Sequence, residues 1–387
     1  MKKYFKVIIL SLFIVLFSGC ASNNLSKSES KLAKNLSLDV GLYYYVPRLE
    51  QFKETILKQW NNKHPNVKLN FQDWWKGGYE NEPTKLDVFV FDAAYLDDYI
   101  NKGYLLTLKQ KEIDDFNDLL SYAKKGVQKD NSKLYFGIPQ IGCGTLLFYR
   151  KNDTALKNAK TLSSITNTLG QCTYDTLTPP KGIGLMMDFS SKTTNGDYYL
   201  EATQDIYNKY TTNPPKAPAK ELLNPWPINN ISLLRQTTST IHAKNEDINR
   251  AEKFSEGYGR AYVGYSESMS SLDQKTRDEI EFKYLPFSDN NNVHLFYSAI
   301  AGINPKVVDK GMQKYAIELV NLLTSTKTFV HATSATKNDP VAQYLLPVRH
   351  KTFKKMSKKY PLYNELYDLV KTNNPKLFRL GVGANTW

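Results

Sequence analysis

Apolar and polar positions change period several times along this chain, and each change marks an expected element. Residues 38–45 are rich in β-favouring side chains and predict a strand. Leu49, Phe52, Ile56, Leu57 and Trp60 then recur at helical spacing, until Pro65 stops the helix. Val67, Leu69 and Phe71 alternate with polar residues, as in a half-buried strand, whereas Val88-Phe89-Val90-Phe91 is unbroken and predicts a strand buried on both faces. Asp92 comes directly after it, at the carboxyl end of that strand, where open parallel sheets place their ligand groups. Further strands are expected at 135–139, 145–149, 182–187, 261–264, 282–285 and 297–300. Helical spacing is clearest at 198–210, around 233–242 and at 310–323, the last with Met312, Tyr315, Ala316, Leu319 and Leu322 on one face. Strands and helices that alternate in this way make the class α/β.

The N-terminus obeys a different rule. Lys2, Lys3 and Lys6 precede an apolar run from Val7 to Phe17 that is too short to span a bilayer and reads as an export signal over 1–19. Leu16-Phe17-Ser18-Gly19-Cys20 suits a lipoprotein peptidase, with Cys20 as the lipid carrier, although Phe17 occupies a place where leucine is usual. Ordinary secretion with Cys20 incidental is the alternative. Residues 20–37 are polar and read as a tether to the membrane surface. What remains is roughly 350 residues, more than one compact core holds, so two lobes are expected in a monomer. Loss of the three leader lysines takes the formal charge from +13 to +10. This excess is dispersed and forms no basic stripe, which argues against a nucleic-acid partner and for simple attraction to an anionic cell surface.

Two short segments carry candidate chemistry. Phe136-Gly137-Ile138-Pro139-Gln140-Ile141-Gly142-Cys143-Gly144 sets a cysteine between glycines just after an expected strand. On residues alone Cys143 fits either a small buried hydrophobe or an uncrowded nucleophile, and a disulfide with Cys172 is a third possibility in an exported chain. Gly264-Tyr265-Ser266-Glu267-Ser268-Met269 places a carboxylate at a strand end, suited to a general base or to capping a helix. His64, His242, His294, His331 and His350 lack metal-ligand spacing, no phosphate-cradling loop is present, and Ser266 lacks a nucleophile elbow. No metal or cofactor is therefore expected.

Together with Leu42-Tyr43-Tyr44-Tyr45-Val46-Pro47 and Val90-Phe91-Asp92-Ala93, these segments resemble thiaminase I (thiamine pyridinylase), in the same order and at similar separations. The resemblance runs from about Leu38 to the C-terminus. It implies a two-lobed type II periplasmic-binding-protein-like fold with a ligand cleft between the lobes, the first from 38–141 and 290–387 and the second from 142–289. It also implies a transferase that displaces the thiazole of thiamine with an amine, pyridine or thiol. Cys143 would be the nucleophile and Glu267 its base; Tyr43, Tyr45, Tyr79, Asp92, Tyr265 and Tyr297 would bind substrate. The chain departs from the pattern after Tyr297, where Ser298 and Ala299 stand in place of an acidic residue. The alternative reading is a non-catalytic lipoprotein that hands thiamine, a sugar or a polyamine to an ABC importer, because fold does not fix function.

Overall fold

The computed structural model describes residues 36–43, 48–74, 82–130, 132–207, 223–242, 248–290 and 293–384. Strand β1 (Leu36–Gly41) leads to helix α1 (Leu49–Lys63), then β2 (Val67–Gln72) and β3 (Val88–Asp92). Phe52, Ile56 and Trp60 line the buried stripe of α1, and the Trp60 indole donates to the Val67 carbonyl at 2.7 Å, closing the helix onto the next strand. Both neighbours of β1 run parallel to it, and Val88 to Phe91 are wholly buried, as their unbroken apolar run predicts.

The chain then forms β4 (Ile138–Cys143), β5 (Thr145–Arg150), β6 (Lys181–Met186), helix α2 (Lys192–Tyr207), helix α3 (Pro225–Arg235), β7 (Gly259–Tyr265) and β8 (Ile280–Tyr284). It continues through β9 (Leu295–Ile303), helix α4 (Gln313–Leu323) and the short β10 (Leu346–Pro347). Two main sheets result among the described residues. One has the order β10-β4-β9-β3-β1-β2, with residues 376 and 377 pairing beside β9; the other is β8-β5-β7-β6. Only Gly144 separates β4 in the first sheet from β5 in the second, so the chain crosses from one body to the other directly after Cys143.

Two helices differ from the pattern-based expectation. The one expected around 233–242 begins earlier, at Pro225 behind the Asn224 cap, and stops at Arg235. Thr237 there turns its hydroxyl back to the Leu234 carbonyl at 2.7 Å, a local bond that competes with helix continuation. The helix expected from 310 starts at Gln313, because Gly311 sits at φ 66, in the left-handed region.

Candidate active site

The site grows from the centre of the first sheet. β9 lies antiparallel between β3 and β4; Ala299 is opposite Asp92 on one side, while Tyr297 is opposite Cys143 on the other. Tyr297 and Ala299 share a face because they are two residues apart. With strands spaced by about 4.8 Å, this puts Asp92 and Cys143 roughly 12 Å apart along one sheet edge. Asp92 is fixed by accepting from the Ala94 amide at 2.9 Å and the Tyr43 hydroxyl at 3.0 Å. The flanking glycines of Cys143 are required by packing. A Cβ on Gly142 would collide with the Tyr297 carbonyl, and one on Gly144 would meet the Tyr284 ring at 2.8 Å.

The second sheet delivers the candidate base. Thr145 pairs with Tyr265 at the end of β7, and the chain turns there into a 3-10 segment, Ser266–Ser271. Glu267 on that segment hydrogen-bonds the Cys143 thiol. Burial pushes Glu267 up to about 7, against the lowering effect of its own amide, the thiol and Ser266. Burial also raises the thiol well above its ordinary value; Glu267 and Asp92 raise it further, since a thiolate beside carboxylates is disfavoured. Cys143 and Cys172 are both free, so no disulfide ties up the candidate nucleophile.

Two carboxyls that the pattern of the chain does not single out complete the lining. Both ride on α2, one turn apart. Asp197 accepts from the Tyr265 hydroxyl at 3.3 Å, and Glu201 accepts from Tyr297 and Thr145, each at 2.5 Å. Burial pushes Asp197 up to about 7 and Glu201 up to about 8. The Tyr265 and Tyr297 rings meet edge-on, with centroids 5.6 Å apart. Ser298 points the other way and donates to the Ile141 carbonyl at 2.9 Å, so the acids beside Tyr297 come from α2 and not from β9. The available clue is that Asp197, Glu201 and Asp205 stand at intervals of four, the spacing of one helix face.

Three carboxyls, those of Glu267, Asp92 and Asp197, thus act on one thiol, Glu201 holds Thr145 and Tyr297 beside it, and none of the four forms an ion pair among the described residues. Such an arrangement favours a cation and disfavours an anion. The structure brings together Cys143, Glu267, Tyr265 and Tyr297, with Asp92 and Tyr43 at the far end of the same edge. Tyr45, Tyr79 and Cys20 lie outside the described residues. No group of three potential metal ligands occurs among the described residues.

Comparison with known proteins identifies the architecture and the family. The profile of the Thiaminase-1 domain matches residues 144–288. Thiaminase-1 of Paenibacillus thiaminolyticus is 32% identical over 390 residues, covering 98% of this chain and 92% of that protein. The chain belongs to the thiaminase I family. Its structure superposes on Clostridium botulinum thiaminase I in complex with thiamin at a TM-score of 0.84, with 36% identity, 90% of this chain and 96% of the other covered. The GacH receptor of Streptomyces glaucescens, a solute-binding protein bound to acarbose in one form, is 13% identical and matches at a TM-score of 0.61, over 91% and 90% of the two chains. That likeness is one of fold. This member of the thiaminase I family is therefore built on the two-lobed periplasmic-binding-protein plan, as its residues imply.

Proposed function

We propose that Cys143 and Glu267 carry out the thiamine-degrading transfer of this family by a covalent route, with the thiol-to-carboxyl hydrogen bond as the observation that supports it. Membership in the family makes the chain a thiamine pyridinylase, and the work within the site divides among its residues. Glu267 removes the thiol proton as sulfur adds to the pyrimidine ring. The bond from the bridging methylene to the thiazolium nitrogen then breaks with its electron pair going to nitrogen, so a neutral thiazole leaves. An amine, pyridine or thiol bonds to the methylene, and Cys143 departs and regains its proton from Glu267. A proton shed by the incoming nucleophile leaves through the same carboxyl to solvent.

The electrostatics favour this order of events. Before substrate arrives the thiol is held protonated, so the thiolate forms only as attack proceeds. A thiazolium brought among the carboxyls opposes their mutual repulsion and lowers the cost of making both Glu267 and sulfur negative. Tyr265 and Tyr297 offer aromatic faces to the same cation, each worth about 0.5–2 kcal/mol when well placed. Asp92 accepts the aminopyrimidine, and Tyr43, Tyr45 and Tyr79 complete the contacts. The lobes are taken close to the expected bounds, with the first break moved from 141 to Cys143 because β4 (Ile138–Cys143) belongs to the first sheet, and the leader and Cys20 support export followed by anchoring at the membrane surface.

Incubation with thiamine and aniline tests the reading. Free thiazole and an aniline-substituted pyrimidine should accumulate in equal amounts, and mass should appear on the Cys143 peptide when a poor nucleophile is supplied. Equal turnover by Cys143→Ala would overturn the covalent route.

A further inference from the structure

Helix α2 carries three acids at intervals of four, and the structure treats them differently. Asp205 is fully used within the fold, accepting from the Phe287, Ser288 and Val293 amides at 3.0, 2.8 and 3.3 Å. Glu201 is buried and receives the hydroxyls of Thr145 and Tyr297 on one oxygen, Oε1, at 2.5 Å each. Those two residues bracket the nucleophile, since Thr145 is two places after Cys143 and Tyr297 is its partner across the sheet. Asp197 is partly exposed and takes a single long hydrogen bond, 3.3 Å, from Tyr265. The charged neighbour that acts on it most is another acid, Asp92, and it forms no ion pair among the described residues.

We propose that Asp197 is a substrate-binding carboxylate that takes the cationic thiazolium half of the substrate, with Glu201 as the positioning residue that holds Tyr297 against it. The proposal rests on the thiamine chemistry assigned to Cys143 and Glu267 and deepens it. Glu201 fixes the height of α2 relative to the Cys143 strand, because its two donors come from β5 and β9 at once. One helical turn away, about 5.4 Å along the axis, Asp197 faces the space beside Tyr265 and Tyr297. A carboxylate there, near a second carboxylate and without an ion pair among the described residues, gains more from a cation than from a neutral group of the same shape. The two halves of the substrate then fall to different acids. Asp92, already held by Tyr43 and Ala94, meets the hydrogen-bonding pyrimidine, while the less engaged Asp197 meets the charge.

The test compares a charged ligand with a neutral one of the same shape. Thiamine and 3-deazathiamin, the analogue in which carbon replaces the thiazolium nitrogen, are titrated by calorimetry into Cys143→Ser protein, where turnover is blocked. Adding Asp197→Asn should weaken thiamine about tenfold, or ~1.4 kcal/mol, and change 3-deazathiamin by less than about twofold. Equal loss for both ligands would make Asp197 a structural prop and overturn the inference; so would no loss for either. In the protein with its cysteine intact, Glu201→Leu should raise KM and lower kcat, and Glu201→Gln, which keeps an acceptor for both hydroxyls, should recover most of that loss. A Gln variant as impaired as the Leu variant would contradict the positioning role. If Cys143→Ser protein bound 3-deazathiamin and thiamine equally from the start, Asp197 alone would lose its role; if it bound neither, the thiamine chemistry would fall as well.

Discussion

Among its individual residues, the site turns on a proton. Glu267 is a base only when ionised, and burial has raised it to about 7 from the usual 4.5, so acid should switch the enzyme off well above the range of an ordinary glutamate. We expect kcat/KM to fall as pH drops through about 7 in the wild type, and Glu267→Gln to lower kcat by about 10²–10⁴-fold, to flatten that limb and still to bind thiamine. A Gln variant that keeps the acid limb would place the titration elsewhere. Cys143 and Glu267 are singled out in the chain by the family resemblance of their segments, since on residues alone each also fits a packing or capping role. Asp197 and Glu201 are not. Acids at intervals of four usually mark a solvated helix face, and only the folded structure shows that this face turns inward.

The composition of α2 as an element explains why. Tyr198, Leu200, Glu201, Ala202, Gln204 and Asp205 are all buried on it, so the helix itself is legible from its spacing at 198–210 while the inward turn of its acids is not. The strands are far more legible. Val88–Asp92 announces itself by an unbroken apolar run, and β7 and β9 by short ones, because a strand buried on both faces needs little else, whereas β8 alternates Ile280, Phe282 and Tyr284 with charged residues. Burying Glu201 also has a cost that depends on pH. Its folded value, about 8, lies above the unfolded one, so the folded state holds the extra proton between the two; its stabilising contribution is complete in acid and is lost as pH rises through about 8. Glu201→Gln cannot ionise. Thermal melts should therefore show the variant gaining on the wild type from about pH 4.5 to about pH 8, with the difference levelling off above that and vanishing near about pH 4; a pH-independent difference would count against the assignment.

Across the protein as a whole, charge is distributed in opposition. A chain with a formal excess of +13 keeps a knot of carboxyls, free of ion pairs among the described residues, where its sheets meet. The leader, the polar tether and Cys20 predict that this body hangs from a membrane surface. Fatty-acid labelling should mark the wild type and not Cys20→Ser, and a product that starts elsewhere and partitions wholly into water would contradict the anchor. Among the described residues no helix is long and apolar enough to cross a membrane. Two lobes are legible from length and from the order of elements, but which residues meet at their junction is not, because register and crossing point are set by contacts distant in sequence, such as Cys143 with Tyr297. The raised thiol also bears on how the protein withstands reactive small molecules. Peroxides, stray disulfides and alkylating agents all consume thiolates and spare thiols. A sulfur that burial first and neighbouring acids second keep protonated offers those reagents little to attack, a shelter that comes with the same packing that sets the site.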